Sequence, residues 1–142
     1  MKVTVKSEKG FYVGDICYVL SDNVYCDVWG KNGYSDGEFL DPETGLKFAV
    51  AGTAYGDGEY EGSNGKWYPV DAGVIGIVPL ELVEKECGLN LGSVHECAGE
   101  AIMEAEGGRF TFTLPNGKVI EIDTAEDGED EDDDSDLEWW QK

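Results

Sequence analysis

Residues 109–122 read RFTFTLPNGKVIEI. Residues 109–114 alternate apolar phenylalanine with polar threonine, and residues 118–122 alternate in the same way, which is the pattern of strands with one buried face. Between them, Pro115-Asn116-Gly117 is typical of a tight turn. The stretch therefore predicts an antiparallel hairpin and places the chain in the mainly β class.

Short apolar segments separated by glycine-rich turns continue along most of the chain, which has 20 glycines. We predict further strands at residues 2–5, 46–55, 66–70 and 74–78, with loops at 30–43 and 56–65. Pro79 fits the first turn of one short helix near 79–86. Residues 100–106, EAIMEAE, have good helix propensities, but flanking glycines leave only about two turns, so we favour a strand that enters a hairpin at Gly107-Gly108.

The most apolar part of the chain lies near its start. Residues 11–20, FYVGDICYVL, and 24–29, VYCDVW, flank Ser21-Asp22-Asn23, which is turn chemistry. We predict a central hairpin in which Cys17 lies opposite Val28, and both faces of the hairpin are apolar. The expected fold is thus mainly β, with antiparallel hairpins forming a compact sheet or barrel-like domain and one short helix.

Charge divides the chain into two parts. The 142 residues include 31 acids and 10 bases, a formal net charge of -21. Residues 1–122 have 20 acids and 9 bases, a net of -11, while the last 20 residues have 11 acids and 1 base, a net of -10. Because the acidic run at 129–134 cannot offset its own repulsion by burial, we predict a β-rich globular domain at 1–124 and a disordered acidic tail at 125–142.

The same charge excludes several classes of function. A field of this sign repels phosphate, so we expect no direct nucleic-acid binding. The chain lacks the basic amphipathic character of membrane-surface helices, and no apolar run approaches the roughly 20 residues of a membrane span. The N-terminal MKVTVKSEKGFYVGD lacks the apolar core of a signal peptide, which favours a cytoplasmic location. The oligomeric state stays open.

The tail combines charge with aromatic residues. Residues 130–142 read DEDDDSDLEWWQK, and Leu137, Trp139 and Trp140 follow the acidic run. Acid steers a chain toward a basic groove, and tryptophan is enriched where binding energy concentrates. The segment predicts a linear docking peptide. Equally, the tryptophans could fold back onto the domain, or the run could serve only solubility.

Three segments carry a resemblance. They are GDICYVL at 14–20, YGDGEY at 55–60 and VDAGVIGIVPLEL at 70–82. They resemble a small family of bacterial and phage-associated proteins of unknown function, over about residues 11 to 83. The resemblance implies a compact β-rich domain of bacterial type, and it carries over no catalytic residue.

Carboxylates and tyrosines mark the candidate chemistry of the body. Asp15 and Asp71 each lie beside or near glycine at strand ends, where a hydrolase could use such a pair, although bonding to local backbone amides explains them more simply. Tyr55, Tyr60, Trp67 and Tyr68 could line a pocket with Asp57, or they could form cross-strand pairs. Asp57, Glu59 and Glu61 resemble the start of a calcium loop, but position twelve of that loop would be Tyr68 rather than glutamate.

The cysteines and the lone histidine give weaker signals. Cys17, Cys26, Cys87 and Cys97 form no Cys-x-x-Cys pair, so we interpret them as buried reduced thiols. Cys87, His95 and Cys97 could supply three metal ligands but lack a fourth. We read His95 as structural rather than catalytic, and we expect no metal and no cofactor.

These observations predict a non-catalytic acidic interaction protein. It would dock on a basic protein partner through its acidic surface and its DEDDDSDLEWW tail. Two alternatives stay open: a decoy that mimics DNA and occupies a nucleic-acid-binding protein, and a carboxylate- or metal-dependent hydrolase.

Overall fold

The computed structural model describes residues 1–125, apart from the side chains of Asn32 and Cys87. Strand makes up 46% of these residues and helical turns 17%, and the helical elements are short 3-10 or π segments. The mainly β class is therefore confirmed. The disordered tail predicted for 125–142, with Leu137, Trp139 and Trp140, lies outside the described residues from position 126 onward.

Eleven strands are present in residues 1–125. In chain order they are β1 (Lys2–Ser7), β2 (Phe11–Gly14), β3 (Gly37–Leu40), β4 (Lys47–Gly52), β5 (Gly58–Glu61), β6 (Trp67–Val70), β7 (Val74–Pro79), β8 (Ser93–His95), β9 (Gly99–Glu106), β10 (Arg109–Thr113) and β11 (Val119–Asp123). The 3-10 turns are Ile16–Tyr18, Gly30–Asn32, Leu80–Leu82 and Glu86–Leu91, and a π-helix spans Val24–Trp29.

The strands form three antiparallel sheets, with the orders β1-β9-β10-β11, β3-β4-β7-β2-β8 and β5-β6. One hydrophobic core lies between the two larger sheets, and Tyr60 and Tyr68 of the β5-β6 hairpin pack into it. A second core lies on the other face of the five-stranded sheet, where the helical segments cover it. The domain therefore has three layers, and β7 is buried along its whole length because it lies between the two cores.

The four-stranded sheet follows the alternation read from the sequence. In the confirmed β10-β11 hairpin, Phe110 lies opposite Ile122 and Phe112 opposite Ile120, and all four side chains are buried. The strand favoured for 100–106 is also confirmed, because β9 pairs with both β1 and β10. The turn that follows β9 needs Gly107-Gly108, since their φ angles of 60° and 85° disfavour other residues.

The hairpin predicted for residues 11–29 is wrong. Strand β2 ends at Gly14, and the Asp15 carboxylate then accepts a hydrogen bond from the Cys17 amide and starts a 3-10 turn. The second apolar segment is the π-helix, so Cys17 and Val28 are not strand partners. Both segments are apolar because Ile16 and Trp29, among others, pack into the second core. Short apolar runs do not distinguish a buried strand from a buried helical segment.

Smaller corrections concern loops and the short helix. The regions 30–43 and 56–65, predicted as loops, contain β3 and β5. The helix expected near 79–86 is present as a single 3-10 turn, Leu80–Leu82, which follows Pro79 at the end of β7. Near the end of the described chain, the Thr124 amide donates to the Gly108 carbonyl at 3.0 Å.

Candidate functional site

Asp15 is fully buried, and its carboxylate joins two segments of the fold. One oxygen accepts the Cys17 amide at 2.9 Å, and the other accepts the amides of Asp71 and Ala72, both at 2.7 Å. The two aspartates singled out in the sequence are therefore neighbours, but Asp71 contributes its backbone amide. Only the bond from the Cys17 amide is the local backbone bonding that the sequence favoured, because the other two amides come from a turn 56 and 57 residues away.

The side chains beside Asp15 are held in their protonated forms. Burial raises the pKa of the Cys17 thiol to about 12, and the charge of Asp15 and its hydrogen bond with the thiol add to the shift. Burial also raises the pKa of Tyr18, as does the hydrogen bond between its hydroxyl and Asp71. Thiol and phenol therefore stay neutral at pH 7 and are weak nucleophiles.

The tyrosines of the predicted pocket have separate roles. Tyr60 and Tyr68 are buried partners across the β5-β6 hairpin, and the Tyr60 hydroxyl donates to the Gly56 carbonyl at 3.0 Å. Tyr55 is 59% exposed, and Asp57 is exposed as well. Tyr60 is thus a core residue, while Tyr55 and Asp57 lie on the surface.

The candidate calcium ligands Asp57, Glu59 and Glu61 are all exposed. Within residues 1–125, no three histidine, cysteine, aspartate or glutamate side chains lie close enough together to hold a metal ion.

His95 lies at the end of a chain of hydrogen bonds. The Asn64 amide donates to the Tyr68 hydroxyl at 2.9 Å, which donates to Ser93 Oγ at 2.9 Å, and Ser93 Oγ lies 2.8 Å from His95 Nε2. Burial, with the nearby charge of Lys118, lowers the pKa of His95. A neutral imidazole can accept the Ser93 proton, so each hydroxyl of the chain both donates and accepts. This chain of hydrogen bonds connects the β5-β6 hairpin to β8.

The thiols differ in exposure. Cys17 and Cys97 are partly buried, but Cys26 is exposed on the π-helix, so the expectation that all four cysteines are buried is wrong. The side chain of Cys87 lies outside the described part of the structure.

The π-helix borders an acidic groove of about 440 Å³. Val24, Asp27 and Val28 line it on the helix side, and the opposite wall comes from the Asp41–Thr44 loop and from the segment that includes Glu81, Leu82 and Glu84. The groove therefore has apolar side chains among carboxylates, on elements that are sequence-distant.

The carboxylates of this acidic groove have two roles. Asp41 accepts hydrogen bonds from the Glu43 amide and the Thr44 hydroxyl, and Glu81 accepts from Ser7 and from the Glu8 amide. Burial raises the pKa of Glu81, but these two hydrogen bonds, together with one from its own amide and the charge of Lys9, outweigh burial and leave the pKa below its ordinary value.

The other three carboxylates of the acidic groove are those of Asp27, Glu43 and Glu84. All three are exposed, and within the described chain none forms an ion pair with lysine or arginine. They remain available to a partner.

The same π-helix also contributes Tyr25 and Trp29 to an aromatic cluster with Tyr34. Trp29 lies edge-on to Tyr25 and to Tyr34, with ring centroids 5.1 and 5.0 Å apart, and Tyr25 and Tyr34 are 6.0 Å apart. Trp29 is buried and donates its indole N–H to the Ser35 carbonyl, whereas Tyr34 is 52% exposed. Tyr34 also has a φ of 53°, the single positive value at a non-glycine residue in residues 1–125.

Sequence reasoning missed both surfaces of the π-helix. The sequence predicts a strand over residues 24–29, where the structure has the π-helix, and the predicted loop at 30–43 gives no sign that Tyr34 joins an aromatic cluster. No family model, curated protein or solved structure matches the chain. Within the described residues, no helix combines the length and the apolar character needed to cross a membrane.

Proposed function

We propose that the protein is a non-catalytic acidic interaction protein that docks on a basic protein partner, and that the acidic groove receives a basic segment of that partner. The observation that carries the proposal is the groove itself, where three exposed carboxylates that form no ion pair within residues 1–125 lie among apolar side chains. A lysine or arginine stem would cover the partly buried Val24 and Val28, while its charged head would pair with a carboxylate at the rim.

The field of the whole body supports this choice. Residues 1–125 contain 21 acids and 9 bases, and four of the bases already form ion pairs with carboxylates. Such a field accelerates encounter with a basic surface and repels nucleic acid. The tail adds further acid, and Leu137, Trp139 and Trp140 would give it a second anchor on the same partner.

Enzymatic use of the aspartates has less support. The Asp15 carboxylate is buried and accepts three backbone amides, and neighbouring groups are held protonated. A decoy that mimics DNA would have the same acidic field. Its partner would be a nucleic-acid-binding protein, and DNA would compete for that partner.

Matched charge variants test the proposal. One variant neutralises the groove through Asp27→Asn, Glu43→Gln and Glu84→Gln. The control neutralises Glu104, Glu106 and Glu121, which are exposed on the four-stranded sheet, so the change in net charge is the same. Each is immobilised, exposed to lysate, and compared for capture of basic proteins that salt releases.

We expect the groove variant to bind the captured partner about tenfold more weakly, because three rim ion pairs of about 0.5 kcal/mol each are lost. The control should lose much less. Equal loss in both variants would show that binding follows net charge and would reject the acidic groove as the site. Competition by DNA for the captured protein would instead favour the decoy.

A further inference from the structure

The exposed ring of Tyr34 is held in a fixed position. Its ring contacts Trp29 edge-on, and its amide donates to the Trp29 carbonyl at 3.2 Å. Beneath the ring lies Gly30, where an added Cβ would come within 2.9 Å of the Tyr34 hydroxyl oxygen. The bare backbone of Gly30 therefore lets the ring lie close to the helix end.

Tyr34 adopts this position against its backbone preference. Its φ of 53° lies in the left-handed region, which a tyrosine rarely occupies. Strain of this kind persists only where surrounding contacts maintain it, and it is found preferentially at binding sites. Tyr34 nevertheless stays about half exposed to solvent, so burial alone does not account for the arrangement.

The surroundings of the ring determine which ligand chemistry fits. The face of an aromatic ring is the negative end of its electric quadrupole, so it attracts a cation. The segment from residue 22 to residue 38 contains four acids and one base, Lys31. Asp22 and Glu38 are paired with lysines of other segments, and the remaining two acids still outnumber Lys31, so a cation meets a favourable field there as well. The aromatic cluster shares the π-helix with the acidic groove, since Tyr25 and Trp29 are one residue removed from Val24 and Val28.

From this geometry we infer that the aromatic cluster Tyr25-Trp29-Tyr34 binds an arginine side chain of the basic segment that occupies the acidic groove. The inference rests on the proposed function and specifies the partner's chemistry. A planar guanidinium stacks flat on an exposed ring and is weakly hydrated, whereas a lysine ammonium is compact and strongly hydrated. The site therefore prefers arginine to lysine.

The test uses the full chain and two synthetic octapeptides, one alternating arginine with alanine and the other alternating lysine with alanine. Affinities are measured by calorimetry at about 0.15 M salt, where weak surface pairing is screened. We expect the arginine peptide to bind about two- to fivefold more tightly, which is the range of a cation–aromatic contact at an exposed site.

Three variants separate stacking from packing. Tyr34→Phe keeps the aromatic face and should keep the preference for arginine. Tyr34→Leu keeps an apolar side chain without an aromatic face and should bind both peptides equally. Gly30→Ala suits the helical φ of -62° but displaces the Tyr34 ring, so it should also reduce the preference while the thermal melt stays cooperative.

Two results would overturn the inference: equal binding of both peptides by the unmodified chain, or an unchanged preference in Tyr34→Leu. The groove variant described above should weaken both peptides by the same factor and leave their ratio intact. If substitution of Tyr34 leaves the ratio of the two peptide affinities unchanged while the groove variant still loses affinity, the arginine inference fails and the proposed function stands. If the groove variant and its matched control bind alike, the proposed function fails.

Discussion

Replacing Asp15 with alanine tests the contact that joins the segment after β2 to the turn between β6 and β7. The carboxylate accepts three backbone amides at 2.7–2.9 Å, from the 3-10 turn that follows β2 and from the turn between β6 and β7. Alanine leaves all three donors without that acceptor. Each orphaned donor costs about 1–3 kcal/mol, and since these three are only partly buried, the lower part of the range applies.

We therefore expect Asp15→Ala to lower the free energy of unfolding by about 3–5 kcal/mol, a large share of the 5–15 kcal/mol typical of a domain. Urea titration followed by tryptophan fluorescence measures it, and the dependence on urea concentration should stay unchanged. Asp57→Ala is the matched control, because that aspartate is exposed in the same region, and it should change stability by less than about 0.5 kcal/mol. A loss below about 1 kcal/mol in Asp15→Ala would refute the structural role.

Three further predictions concern individual side chains. Gly76→Ala should abolish the cooperative urea transition, because its Cβ would lie 2.2 Å from a backbone carbonyl of β4; a stable variant would contradict the placement of β7. Burial lowers the pKa of His95 in the folded protein. As the pH falls, the unfolded chain therefore binds the proton at a higher pH than the folded chain does, and the free energy of unfolding should fall below about pH 6.5. His95→Gln should remove this part of the pH dependence of the free energy of unfolding. The same pH dependence in the variant and the unmodified chain would contradict the role given to His95. Iodoacetamide at pH 8 should label exposed Cys26 well before Cys17, whose pKa of about 12 keeps it a thiol; mass spectrometry of the labelled peptides reports the order.

Local patterns predicted the strands whose structure is decided locally. Residues 109–122 alternate with period two around a Pro-Asn-Gly turn, and the β10-β11 hairpin has the expected buried face. Strand β9 required a choice between helix and strand, and the paired glycines at 107 and 108 favoured the correct one. In β9, β10 and β11 one face of the strand meets a core and the other meets water, and there sequence and structure agree.

The prediction failed where distant contacts decide the structure. FYVGDICYVL is apolar enough for one long strand, but the Asp15 carboxylate ends it by binding amides 56 and 57 residues away. The π-helix is a rare element with no established sequence signal. Consequently the acidic groove and the aromatic cluster, which both depend on that helix, could not be found from the sequence, although the acidic character of the body could.

Site-specific photo-crosslinking tests directly whether the acidic groove receives the basic partner. A photoreactive amino acid is introduced at Glu43 on the rim of the acidic groove, at Glu104 on the four-stranded sheet, and at Trp139 in the tail. We expect the photoreactive group at position 43 to capture a basic protein through a lysine- or arginine-rich segment, and the group at position 104 to capture none. Capture from Glu104 but not from Glu43 would contradict the account, and capture from Trp139 alone would assign docking to the tail and reject the groove.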